Sequence, residues 1–120
     1  MTNPSKARGT RWEVAVAAYL RASGFDEVHR LALTGEHDAG DLHVDGVPVA
    51  WECRDRNRLT LSENVDDAEA RAKAKGSKWG VTVMKRRGRR AGEAYGAMTL
   101  DTFVRLLKEA IQTPDSGGHL

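Results

Sequence analysis

The sequence predicts an α/β domain, a mixed central sheet flanked by helices. Three observations predict it. Segments with helical periodicity occur at the start, middle and end of the chain. Between the first two lie short alternating runs joined by Asp45-Gly46, a strong hairpin signal. After the middle helix, Trp79 to Met84 is apolar enough to be a central strand.

Taken in order, residues 1 to 8 are polar and expected to be loose. Thr10 to Ser23 reads as a helix, with Trp12, Val16, Tyr19 and Leu20 on one apolar stripe and Gly24 as its stop. Val28 to Leu33 is a first strand. After the turn-rich "TGEHDAG", Asp41 to Asp45 and Val47 to Arg54 form the hairpin. A second helix follows in "LTLSENVDDAEARAKAKG", where Thr60 with Glu63 fits a capping box and Gly76 ends it. Its acidic residues lead and its basic ones trail, as the helix dipole prefers. Ala68 and Ala72 give it a small face that can lie close to a sheet. "KRRGRR", Lys85 to Arg90, is a basic loop, Tyr95 to Met98 a short strand, and Leu100 to Ile111 a last amphipathic helix. The element order is α-β-β-β-α-β-β-α. Residues 1–112 make one domain and 113–120 a flexible tail.

With 120 residues, 40% hydrophobic and 30% charged, the chain is too apolar for a disordered protein and about the size of one domain. Cys53, the lone cysteine, excludes an intrachain disulfide and any cysteine-only metal site. With no membrane-length apolar run and no signal-like N-terminus, a cytoplasmic protein is expected. There is no P-loop, GxGxxG or CxxC. The net charge of +2 says little, but arginine and lysine are bunched.

A two-residue turn at Asp45-Gly46 sets Asp41 opposite Ala50 and Glu52 diagonally from Asp41. Leu42, Val44, Val47, Val49, Trp51 and Cys53 then share a core face, and Asp41, His43, Pro48, Ala50, Glu52 and Arg54 the other. Diagonal neighbours lie about 7–8 Å apart, so one divalent cation can bridge the two carboxylates. Two carboxylates, a cation and a nearby basic side chain suit phosphodiester hydrolysis. Oxygen ligands hold Mg²⁺ or Mn²⁺, and Arg54 would offset transition-state charge. The plain alternative is a solvated salt-bridge ladder.

The chain resembles the PD-(D/E)xK nuclease superfamily, and within it the archaeal-type Holliday junction resolvases and their phage-encoded relatives. The resemblance spans roughly Arg8 to Leu107. It rests on "RGTRWE", "GEHDAGDLHV", "WECRDRNR" and the order of elements after them. It implies a restriction-endonuclease-like α-β-β-β-α-β core. It also implies a site of Glu13, Asp41 and Glu52, with Arg54 where the family has lysine, and the backbone carbonyl of Cys53 on the metal. Asp38 falls on a position often acidic in such relatives and would support the site from behind the metal ligands. Arginine at 54 is a departure: it stays charged, so it can stabilise a phosphorane but not act as a base.

Basic residues beside this site, Lys85, Arg86, Arg87, Arg89 and Arg90 with Arg56, Arg58, Arg8, Arg11 and Lys6, suit DNA phosphates. His29, His37, His43 and His119 show no metal-ligand spacing, though His43 lies near Asp41 on the polar face. Trp12, Trp51 and Trp79 read as core. Together with the resemblance, the sequence therefore points to a Mg²⁺- or Mn²⁺-dependent endonuclease; the resemblance implies branched DNA as substrate, foremost Holliday junctions. The resemblance implies that it is a homodimer. The alternative is a nuclease-fold DNA-binding module with weak or no catalysis.

Overall fold

The computed structural model describes residues 4–31, 41–56, 58 and 60–112. The elements are α1 (Pro4–Ala22), β1 (Val28–Arg30), β2 (Asp41–Val44), β3 (Val49–Arg54), α2 (Leu61–Lys75), β4 (Trp79–Met84), a 3-10 turn (Ala91–Glu93), β5 (Tyr95–Ala97) and α3 (Leu100–Gln112). The expected α-β-β-β-α-β-β-α order and the mixed sheet flanked by helices are both present. The sheet order is β1-β2-β3-β4-β5. β3 and β4 run parallel and the other neighbours antiparallel. The crossover between the two parallel strands is α2, which packs on both.

α1 starts earlier than the periodicity predicts. Pro4 opens it, a residue suited to the first helical turn because its missing N–H has no partner there anyway. Gly24 closes it as expected: at φ 111° it lets Phe25 N–H reach the Leu20 carbonyl and Gly24 N–H the Arg21 carbonyl. The buried stripe is Trp12, Val16, Ala17 and Leu20, while Tyr19 is exposed. These residues pack on Val28, Leu42, Val44, Cys53, Val81 and Val83, with Val47, Val49 and Trp51 half-buried against them. The predicted apolar hairpin face is therefore the core under α1. Trp12 Nε1–H donates to the Val83 carbonyl at 3.0 Å and ties the helix to β4.

The hairpin register departs from the two-residue turn. Val47 N–H closes the turn on the Val44 carbonyl, but Asp41 pairs with Glu52 and Leu42 with Trp51. Pro48 has no N–H for a ladder, and its carbonyl accepts from Lys78 and Trp79 instead. β3 consequently begins only at Val49. A two-residue shift keeps each residue on its predicted face.

The second face is covered rather than solvated. Ala50, Glu52 and Arg54 are buried, as are Gly80, Thr82 and Met84 beside them in β4. α2 lies close because Ala68 and Ala72 are small and Gly80 has no Cβ. A methyl on Gly80 would run into the Ala68 carbonyl. Gly76, at φ 69°, ends α2 as expected. The expected capping box does not form, since Thr60 makes no side-chain cap hydrogen bond. The predicted tail at 113–120 and the end of the first predicted strand lie outside the described residues.

Candidate functional site and basic cleft

Glu52 and Arg54 stand two residues apart on β3, so alternation puts both side chains under α2. At 1% and 5% exposure the two are effectively dry. Arg54 Nη2 donates to Glu52 Oε1 at 2.8 Å, and Nη1 of the same fork donates to the Cys53 carbonyl at 3.1 Å. Two groups of α2 complete the surroundings. Arg71 Nε lies 3.5 Å from Glu52 Oε2, and Asp67 Oδ2 lies 3.6 Å from Arg54 Nη2. Each carboxylate oxygen of Glu52 thus faces a guanidinium. A buried carboxylate needs such partners, because leaving it bare in a low dielectric costs several kcal/mol. The salt-bridge reading of this face holds for Glu52 and Arg54 with one correction: the network is buried, not solvated.

Asp41 occupies the register position directly opposite Glu52, closer than the diagonal expected; its side chain lies outside what is described, as do Asp38, His37 and the side chain of Lys6. Glu13 is fully buried on α1, the helix that packs the opposite face of the sheet. Its Oε1 accepts from Arg30 Nε at 2.9 Å. Thr82, paired with Glu52 across β3 and β4, is fully buried. Its hydroxyl has no hydrogen-bond partner among the described residues.

Asp41, Glu52 and the Cys53 carbonyl are hard oxygen donors of the kind Mg²⁺ or Mn²⁺ takes, so the donor set fits a divalent ion. Arg54 already spans two of those three donors. An ion entering here must displace that fork or share Glu52 with it.

β3 and β4 are parallel and end together, so the segments that follow them meet at one edge of the sheet. Lys85 N–H donates to the Arg54 carbonyl at 2.9 Å, joining the two strand ends. Immediately beyond lies an open cleft of about 320 Å³, lined by Asp55, Arg56, Lys85, Arg86, Arg87, Arg89 and Tyr95. Five basic side chains against one acid make it strongly positive. Arg86 lies over the Tyr95 ring at 4.7 Å, and its Nη1 donates to the Glu93 carbonyl. Of the basic residues singled out from sequence, the cleft gathers Arg56, Lys85, Arg86, Arg87 and Arg89. Arg8, Arg11, Arg58 and Arg90 do not line it.

Compared with family models, curated proteins and solved structures, the chain finds no match. The site therefore rests on its own geometry.

The sequence reading missed Arg71 and Asp67 as neighbours of Glu52 and Arg54. Arg71 was within reach of it, since Asn64, Ala68, Arg71 and Ala72 fall at i, i+4, i+7 and i+8, the stripe that faces the sheet. Tyr95 and Asp55 in the cleft carry no such signal. Of the histidines, His43 is exposed and sits 3.1 Å from Asp45. Among the described residues, Glu27, His29 and Asp45 bring three metal-capable groups together at the exposed hairpin end, a common arrangement without any ion. Trp12 and Trp79 are core residues, as expected, and Trp51 is half-buried.

Proposed function

We propose that this chain is a metal-dependent DNA endonuclease of the PD-(D/E)xK type, acting on branched DNA and foremost on Holliday junctions. One observation carries the reading: Asp41 is the register partner of Glu52 between β2 and β3, with Arg54 two residues on, at the strand ends where the basic cleft opens. Ligands of open α/β sheets gather at the carboxyl ends of parallel strands. The α-β-β-β-α-β order and the resemblance in "WECRDRNR" support it further.

In this reading Arg56, Lys85, Arg86, Arg87 and Arg89 hold the phosphate backbone. Asp41 and Glu52, with the Cys53 carbonyl, are the groups that would hold Mg²⁺ or Mn²⁺. When bound, such an ion neutralises phosphate charge and lowers the pKa of a coordinated water. Hydrolysis forms a bond from the water oxygen to phosphorus, breaks one phosphorus–oxygen ester bond, and returns the proton to the leaving oxygen. Arg54 offsets the charge that builds on the phosphoryl oxygens. A homodimer would set two such sites on a four-way junction.

A second reading is favoured by a specific observation. Arg54 spans Glu52 Oε1 and the Cys53 carbonyl, so the arrangement also suits a DNA-binding module with weak catalysis. A labelled four-way junction and a matched duplex, incubated with protein and Mg²⁺, Mn²⁺ or EDTA, test both. The endonuclease reading expects metal-dependent nicking of the junction that Glu52→Gln abolishes. Tight binding without nicking in any metal supports the binding module instead. If neither binding nor nicking occurs, both readings fail. Under the endonuclease reading, Arg54→Lys should raise metal-dependent nicking at least several-fold, because lysine cannot span both donors at once.

A further inference from the structure

α3 is mounted the wrong way round for a surface helix. Such a helix normally turns its apolar stripe to the core. Here the hydrogen bonds and ion pairs to the rest of the chain come from polar groups, beside which one apolar residue, Leu106, is half-buried. Thr102 is buried and its hydroxyl donates to Glu69 Oε2 at 2.6 Å. The Arg105 guanidinium lies 5.3 Å from the Trp79 ring centre and donates to the Lys78 carbonyl. Lys78 Nζ lies 3.0 Å from Glu109 Oε1. Thr102, Arg105 and Glu109 share one face. Leu100, Phe103, Val104, Leu107 and Ile111 follow i, i+3, i+4, i+7 and i+11 on the face half a turn away. All five are exposed, Leu100 at 74% and Ile111 at 73%.

We propose that this stripe is where the chain meets a second copy of itself, the two α3 helices packed antiparallel about a two-fold axis. The charges choose the occupant. Asp101 and Lys108 lie one heptad apart on the same flank of the stripe. An antiparallel two-fold pair brings the same flank of both helices together. With Val104 level with Leu107 of the second copy, Leu100 is level with Ile111. Asp101 then falls within one helical turn of Lys108 of the second copy, and the contact is made twice. Asp101 and Glu109 balance Arg105 and Lys108, so the helix carries no net charge to draw it to an anionic lipid surface or a nucleic acid. The pairing does not rest on the nuclease reading and is measured without DNA.

Sedimentation equilibrium of the full chain, from low to high micromolar, tests it. The wild type should approach twice the 13.2 kDa chain mass as concentration rises. Leu107→Glu, on an exposed position, should remain monomeric with an unchanged circular dichroism spectrum. Asp101→Lys should weaken the dimer several-fold, and Asp101→Lys with Lys108→Asp should restore it. A wild type that stays monomeric overturns the proposal. So does a dimer indifferent to Leu107→Glu, or a charge exchange that restores nothing.

Discussion

A guanidinium is a rigid planar fork, and Arg54 uses both tines: one on Glu52 Oε1, the other on the Cys53 carbonyl. In a site this dry, removing one partner leaves the other charged and short of compensation, a loss of about 3–5 kcal/mol. Arg54→Met should therefore lower unfolding stability in urea by an amount of that order. Glu52→Gln should also destabilise. The double substitution should cost clearly less than the sum of the two singles, which is the signature of a coupled pair. Strand alternation alone was enough to read that Glu52 and Arg54 share a face and that Cys53 turns to the core. The company they keep was not legible, because Asp67 and Arg71 arrive from a helix whose rotation over the sheet is decided by Ala68 and Gly80 rather than by any charge.

Among the elements, α2 and β4 followed the sequence most closely, since a Gly-stopped helix and a continuous apolar strand are both strong local signals. The hairpin did not. Asp45-Gly46 marks the turn, but Pro48 removes a ladder donor, and its carbonyl is claimed by the start of β4, an interaction thirty residues away that no local pattern announces. The N-terminus of α2 shows the limit of motif reading. "TLSE" spells a capping box, yet Thr60 makes no side-chain cap bond. Thr60→Ala should accordingly change thermal or chemical stability by less than about 0.5 kcal/mol, against the roughly 1 kcal/mol of a working cap. Gly80→Ala should do the reverse of its innocuous appearance. It presses a methyl onto the Ala68 backbone and should cost about 1–3 kcal/mol by overpacking, read as a lower urea midpoint with an unchanged slope.

For the whole molecule, the parallel pairing of β3 and β4 is what joins chemistry to charge. It sets Glu52 and Arg54 at the end of one strand and aims "KRRGRR" from the end of the next toward the same edge. The sequence showed both ingredients and the order of elements; only the sheet order shows that Arg56, Lys85, Arg86, Arg87 and Arg89 converge while Arg8, Arg11, Arg58 and Arg90 stay off the cleft. If that cleft tracks phosphates, Arg89→Ala should weaken binding alike across DNA sequences. It should also reduce the slope of log affinity against log salt by about 1, as expected for one lost phosphate contact.

The indole of Trp12 is anchored to the carbonyl of Val83, a residue made long after it. During synthesis at roughly 5–20 residues per second, α1 leaves the ribosome several seconds before β4 exists. Its stripe of Trp12, Val16 and Leu20 has no finished sheet to rest on during that interval. The order of manufacture thus leaves this chain, for a short time in every round of translation, with the apolar stripe of α1 uncovered. A chaperone that grips short apolar helices would find its opening there.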